Sequence, residues 1–184
     1  PTEKAPKVNE NINDSIQLDI KEDSEFVSTS QEKFGQYSTK KEFKLIKAKG
    51  VIRETIACLQ MIATEFELPY RSDSIEKLLR DSIRQGKKPT INILGGLTTS
   101  MGLHSSGARL VPKTASRLPA LSLISWGESF AIVRRSDTNF LEIASPSDGI
   151  LIIKPEKFEE VFDKGYIEIL FLEKNEYTPE NKFG

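Results

Sequence analysis

The stretch that decides the fold is RETIACLQM, which runs from Arg53 to Met61. Around it, apolar residues recur at the three- and four-residue spacing of a helix, at Ile52, Ile56, Leu59, Ile62 and Phe66. This spacing places the apolar side chains along one side of a helix, where they can be buried together. The pattern therefore predicts a buried or amphipathic helix over about residues 52–66.

Two further helices are predicted on the C-terminal side of this one. Asp73, with Glu76 three residues later, has the spacing of a capping box and predicts the start of the second helix. Gly86 suits the C′ position that follows a helix. Thr90 is predicted to cap the third helix, which should end at Gly102.

After the third helix the hydrophobic period changes to two. Short β-branched or aromatic runs, separated by turn-forming residues, predict strands at 108–111, 120–126, 129–135, 139–144, 149–153 and Ile167–Phe171. A short helix is expected from Lys154 to about Asp163, because proline suits the first helical turn. Helices followed by strands are typical of an α+β fold, in which helices pack on one face of an antiparallel sheet.

The first 42 residues have a different composition. They are rich in Glu, Lys, Asn, Asp, Ser and Gln, and they have too few apolar residues to offset the entropy of ordering the chain. We expect residues 1–42 to be a polar, largely disordered linker, with one possible edge strand at Ile16, Leu18 and Ile20. The start on Pro1 and the end at Gly184 suggest a piece of a longer polypeptide.

Composition excludes several classes of protein. The 26 Lys and Arg residues balance 27 Asp and Glu residues, so no basic excess indicates a nucleic-acid partner. No run approaches the roughly 18 apolar residues that a membrane-spanning helix needs, and no signal peptide is visible. The single cysteine cannot form an internal disulfide and fits a reducing compartment.

Taken alone, the residues indicate no catalytic site. Cys58 is a candidate nucleophile, but its neighbours Ala57 and Leu59 favour a packed interior position. His104, the one histidine, is expected in an exposed turn between a helix and a strand. One cysteine and one histidine do not complete a four-ligand zinc site, so no metal is expected. Trp126 is interpreted as a core or rim aromatic residue.

The stretch around Cys58 resembles a string in a known family. Papain-like peptidase domains at the N-terminus of ABC exporters cleave double-glycine leaders from bacteriocin precursors, and they carry Asp-Cys-Gly-x-x-Cys-Leu-x-Met in their first helix. The resemblance aligns Cys58 with the second, non-catalytic cysteine of that string, and it places Glu54 at the nucleophile. It implies a papain-like α+β fold for residues 43–174.

Two more strings extend the resemblance over roughly residues 45–174. Leu118–Leu121 and the following strand resemble the family's Leu-Pro-Ala-Ile and its histidine strand, which places Ser129 at the catalytic histidine. Ala144–Gly149 resembles Ala-Asp-Pro-Ala-x-Gly and places Ser145 at the orienting acid. The glutamine that helps to stabilise the oxyanion corresponds to Ala48.

These replacements predict a domain that is not an enzyme. Thiolate attack needs a thiol, an imidazole and a group that orients the imidazole, and Glu54, Ser129 and Ser145 do not supply that set. A degenerate peptidase-like domain is therefore expected, and an active cysteine peptidase that removes leaders is the less favoured reading. A cleft rimmed by Glu54, Trp126, Ser129 and Ser145 is expected to bind the secretion substrate.

The resemblance also implies a parent protein, a bacterial and especially cyanobacterial type of ABC exporter. Residues 175–184 would then connect the domain to a transmembrane region, at the cytosolic face of the inner membrane of a dimeric transporter. ATP and Mg²⁺ are expected in its ATPase part, and no cofactor in this domain. Two alternatives stay open: an edge strand that accepts an extended peptide, and a spacer or regulatory module between an upstream nucleotide-sensing domain and the transporter.

Overall fold

The computed structural model describes residues 42–83 and 86–175. Within these ranges, three helices come first: α1 at Val51–Glu65, α2 at Ser72–Ser82 and α3 at Ile91–Ser100. The first agrees with the predicted helix over 52–66 to within one residue at each end. The polar linker, the possible strand at Ile16–Ile20 and almost all of the connector lie outside the described residues, so those predictions stay untested.

In the described part of the chain, six strands follow the helices. They are β1 at His104–Leu110, β2 at Leu123–Trp126, β3 at Ser129–Ser136, β4 at Leu141–Ser145, β5 at Gly149–Ile153 and β6 at Ile167–Glu173. They form one antiparallel sheet in the order β1-β6-β2-β3-β4-β5. Between β5 and β6 lies a 3₁₀ turn, Pro155–Lys157, followed by the short helix α4, Phe158–Val161. The predicted α+β fold is confirmed.

The sheet is buried on both faces, and β3 shows how its sequence achieves this. Phe130 and Ile132 pack into the cluster that α1, α2 and α3 cover, whereas Ala131 and Val133 pack into the cluster on the opposite face. Successive side chains of a strand point to opposite faces, so a continuous apolar run serves both clusters. The second face is covered by α4 and by the 3₁₀ helix Pro112–Arg117.

Local capping predictions had mixed outcomes. Thr90 caps α3 as predicted, because its side chain accepts a hydrogen bond from the Ile93 N–H at 3.2 Å. The capping box at Asp73 is wrong: α2 begins one residue earlier, Arg71 is its N-cap, and no side chain caps it. Asp73 lies in the first turn instead, where its negative charge interacts favourably with the positive end of the helix dipole. Gly86 is not the C′ residue, since α2 ends at Ser82.

Within the described ranges, no helix is both long enough and apolar enough to cross a lipid bilayer.

Candidate functional site

The residues that the resemblance assigns to the nucleophile and the catalytic histidine lie in contact. Glu54 is in the first turn of α1, and Ser129 is the first residue of β3. The Ser129 hydroxyl donates a hydrogen bond to Glu54 Oε1 at 2.5 Å. This distance lies at the short end of the usual range for a hydrogen bond between two oxygen atoms. The structure therefore joins α1 to β3 through a polar pair at this position.

The start of α1 sets the position of the Glu54 carboxylate. Gly50, the N-cap residue, has φ 103°, a backbone conformation that glycine adopts at little cost. Its N–H donates to Glu54 Oε2 at 2.9 Å, so both carboxylate oxygens are bonded. An acidic side chain in the first turn also interacts favourably with the helix dipole. Glu54 is thus held in one orientation, with Oε1 towards Ser129.

Cys58 lies one helical turn further along α1 and is inert. Its side chain is fully buried, and its thiol faces the Phe130 carbonyl oxygen at 3.4 Å. Burial raises the pKa of the Cys58 thiol well above its ordinary value, and the negative charge of Glu54 raises it further. The interior role predicted for this cysteine is confirmed.

Trp126 lies beside Ser129, because the two residues are partners across the β2–β3 hairpin. Its indole N–H donates to the Asp148 carboxylate at 2.9 Å, and its ring meets Phe162 edge-on with ring centroids 6.2 Å apart. The ring is partly exposed and packs against the cluster on the second face. Trp126 is therefore a rim residue of this end of the domain, as predicted.

Ser145 and Ala48 do not join the Glu54–Ser129 pair. Ser145 is buried at the end of β4, where its hydroxyl accepts a hydrogen bond from the Asp148 N–H at 3.0 Å and lies 3.2 Å from Ser147 Oγ. These contacts close its own turn. The Ala48 N–H donates to the Pro146 carbonyl oxygen at 3.0 Å, so this position fixes the chain before α1 against the same turn.

One contact at the Ser129 end of the domain could not be predicted from the sequence. Lys88, in the segment between α2 and α3, pairs with Glu128 at the tip of the β2–β3 hairpin. The two residues are 40 positions apart, and both side chains are exposed. The ion pair connects the helical layer to the hairpin next to Ser129.

His104 and a cavity of about 280 Å³ lie at the opposite end of the sheet. His104 opens β1 opposite Glu173, beyond the Leu123 end of β2, whereas Ser129 lies at the Trp126 end. His104 is exposed, as predicted, but in a strand rather than a turn. Among the described residues, no group of three His, Cys, Asp or Glu side chains is placed to hold a metal ion.

Comparison with known proteins identifies a matching family and similar solved structures. Residues 44–176 match the model of the peptidase C39 family. A double-glycine-motif protease from an AMS/PCAT transporter, solved with its leader peptide, is similar at 18% identity and TM-score 0.58, over 74% of this chain and 96% of that one. The peptidase domain of Streptococcus ComA, a bifunctional ABC transporter involved in quorum sensing, is similar at 16% identity and TM-score 0.56, over 73% and 100%. A search of curated proteins found no match.

The family match overturns one prediction. The domain was expected not to be an enzyme, and this is wrong, because the family that matches residues 44–176 is a family of peptidases. The prediction rested on the lack of a thiol, an imidazole and an orienting acid at Glu54, Ser129 and Ser145.

Proposed function

This chain belongs to the peptidase C39 family, and we propose that it recognises the leader segment of a secreted peptide within an ABC exporter. The observation that carries the proposal is the Glu54–Ser129 hydrogen bond between α1 and β3. It occupies the two positions that the sequence resemblance assigns to peptide-bond chemistry. We propose that the leader binds at this end of the domain, against the partly exposed Glu54 and Trp126 and next to the buried Ser129 and Ser145.

The chemistry of these side chains suits an extended peptide that ends in two glycines. Glu54 is partly exposed, and a carboxylate accepts hydrogen bonds from backbone N–H groups. Glycine allows a backbone to approach closely where a Cβ would collide. Trp126 adds a partly exposed aromatic ring for apolar contact. Recognition would combine backbone hydrogen bonding, close approach at the glycines and contact with the indole.

We propose further that the parent is a bacterial exporter, of cyanobacterial type, with this domain at the cytosolic face of the inner membrane. Its partners would be the secreted substrate and the transmembrane and ATPase domains of a dimeric transporter. ATP and Mg²⁺ would bind to the ATPase domains. The solved transporter domains to which this chain is similar support this setting, because one was solved with a leader peptide and the other belongs to an ABC transporter.

Trp126 provides the test, because it is the one tryptophan in the chain. Its fluorescence is followed while the protein is titrated with a synthetic leader peptide that ends in Gly-Gly, and with the same peptide ending in Val-Val. We expect a saturable change with the first peptide and binding at least about tenfold weaker with the second, a loss of about 1.4 kcal/mol.

Glu54→Ala should weaken binding of the Gly-Gly peptide by about tenfold or more, because a hydrogen bond to a charged group is worth roughly 1.5–3 kcal/mol. Glu156→Ala, at an exposed carboxylate in the 3₁₀ turn before α4, is the matched control and should bind like the unaltered protein. Equal affinity for both peptides would contradict the proposed site. No binding of either peptide, checked by calorimetry, would favour the spacer role.

A further inference from the structure

We propose that residues 43–50 form a strap that positions the leader site, so that detaching Phe43 from the domain weakens leader binding. The inference rests on the proposed function, because leader binding is one of its two readouts. It goes beyond that function by assigning a conformational control to the segment that joins residues 1–42 to α1. The site would then respond to an event that acts on the chain before the strap.

The strap is anchored at its first residue, Phe43. The guanidinium of Arg134 in β3 lies over the Phe43 ring, 4.4 Å from its centroid. That arginine is itself fixed, because it donates a hydrogen bond to the buried carboxylate of Glu142 at 2.9 Å. The Phe43 ring is partly buried and also packs against the apolar cluster that the helices cover. A ring held between a fixed guanidinium and an apolar cluster is a defined attachment point for the strap.

The middle of the strap is attached to the helical layer and to the turn between β4 and β5. Leu45 and Ile46 pack against the same cluster, and the Ile46 N–H donates to Met61 Sδ at 3.4 Å. The Ala48 N–H donates to the Pro146 carbonyl oxygen, in the β4–β5 turn, at 3.0 Å. Residues 43–49 belong to neither a helix nor a strand. Separate contacts rather than a ladder of hydrogen bonds therefore hold the strap, so it can open locally while the rest of the domain stays folded.

Both partly exposed side chains of the leader site depend on the strap. Glu54 accepts the N–H of Gly50, the last residue of the strap, at 2.9 Å. Trp126 donates to the carboxylate of Asp148 at 2.9 Å, and Asp148 lies in the turn to which Ala48 is bonded. Detaching the strap would remove the donor that orients the carboxylate and would loosen the turn that holds the indole. The strap therefore acts on both side chains at once.

Leader binding and strap attachment should favour each other. A peptide that binds better when Glu54 and Trp126 are positioned also stabilises the attached strap. By thermodynamic linkage, strap attachment then tightens peptide binding by the same factor, and couplings of this kind usually change affinity by about 5–150-fold. The chain before Phe43 can therefore weaken leader binding without touching the peptide.

Phe43→Ala in the full chain tests the anchor, and Phe140→Ala is its matched control. The Arg135 guanidinium lies over the Phe140 ring, 5.0 Å from its centroid, and Arg135 also donates to Glu142. Both rings are partly buried, but Phe140 lies outside the strap. Titration with the Gly-Gly peptide, followed by Trp126 fluorescence, should show binding at least about fivefold weaker for Phe43→Ala. Phe140→Ala should bind the peptide like the unaltered protein.

Amide hydrogen exchange, measured by NMR, gives a second readout that needs no peptide. The Ala48 N–H is bonded to the β4–β5 turn, and the Asp148 N–H closes that turn by donating to the Ser145 hydroxyl. Both amides should exchange at least about fivefold faster in Phe43→Ala than in Phe140→Ala. If Phe43→Ala does not fold, as judged by circular dichroism, Phe43→Leu keeps an apolar side chain but removes the ring, and the same changes are expected.

The outcomes separate this inference from the proposed function. If the peptide binds Phe43→Ala as tightly as it binds Phe140→Ala, the strap inference is wrong and leader recognition stands. Equal exchange of the Ala48 and Asp148 amides in the two variants would also overturn the inference. If the unaltered protein binds no peptide, the proposed function fails and amide exchange alone decides: faster exchange at Asp148 in Phe43→Ala supports the strap, and an unchanged rate refutes it.

Discussion

Glu54 and Glu142 are two carboxylates that join elements of this domain, and their surroundings differ in one respect that matters. Glu142, in β4, is fully buried, and its oxygens accept hydrogen bonds from Arg134 at 2.9 Å and Arg135 at 3.0 Å. Glu54 is partly exposed, and its recorded partners are the hydroxyl of Ser129 and the N–H of Gly50. One carboxylate is paired with positive charge, and the other is bonded to neutral donors.

The difference separates a carboxylate whose charge is compensated by two arginines from one whose hydrogen-bond donors are neutral. The charge of Glu142 is compensated twice, and Arg134 is held further by lying over the Phe43 ring, 4.4 Å from its centroid. A buried charge of this kind maintains the pairing of two strands. The charge of Glu54 acts on Cys58, where it adds to the effect of burial in raising the pKa of the thiol.

The largest expected effect is on the buried carboxylate. Glu142→Ala leaves two arginines without their partner, one of them mostly buried, and should lower the free energy of unfolding by about 3–5 kcal/mol. Unfolding in guanidinium chloride measures this loss in the free energy of unfolding. Lys88→Ala is the control, because it removes an exposed ion pair and should cost at most about 1 kcal/mol. Equal losses in the two variants would remove the distinction drawn between the two carboxylates.

An effect of intermediate size on the free energy of unfolding is expected when the pH is raised. The pKa of the Cys58 thiol is raised in the folded state, so its contribution to stability is complete below the unfolded pKa, about 8.5. Above that value the unfolded state loses the proton first, and stability should fall by up to about 1.4 kcal/mol per pH unit. Urea unfolding between neutral and alkaline pH measures the slope. Cys58→Ala should show a shallower slope, and an unchanged slope would contradict the assigned cause.

The smallest effect on stability is expected at Glu54, the residue whose substitution should affect the proposed function most. Glu54→Gln keeps the shape of the side chain and its acceptor oxygen, so the free energy of unfolding should change by about 1 kcal/mol or less. Thermal and denaturant unfolding of the variant, beside Glu142→Gln, measure the contrast. A loss for Glu54→Gln as large as that for Glu142→Gln would make Glu54 a structural residue and would contradict the contrast between the two carboxylates.

Much of the fold could be predicted because its signals are local. The apolar spacing from Ile52 to Phe66 placed α1 to within one residue, and alternation placed most strands. β1 and β2 are the exceptions: β1 was predicted at 108–111 and begins at His104, whereas β2 was predicted at 120–126 and begins at Leu123. His104–Gly107 carries no apolar alternation, so pairing with β6 decides that these residues are a strand. The start of α2 was also missed, because the Asp73 side chain does not cap it.

The candidate site, like the fold, could be predicted only in part. Its residue types were readable from the sequence, since the register around Cys58 identified Glu54, and similar strings identified Ser129, Ser145 and Ala48. The contacts between these residues could not be predicted from the sequence. Ser145 closes its own turn, whereas Glu54 and Ser129 share a hydrogen bond.

By itself, then, the sequence determined the helices, most of the strands and the absence of a thiol and an imidazole at the two positions. Only the tertiary structure decided that a carboxylate meets a hydroxyl there, 75 residues apart along the chain. The physical reason is that helix and strand patterns arise among neighbouring residues, whereas this contact depends on how α1 packs against β3. The same packing buries Cys58 and leaves Glu54 partly exposed at this end of the sheet.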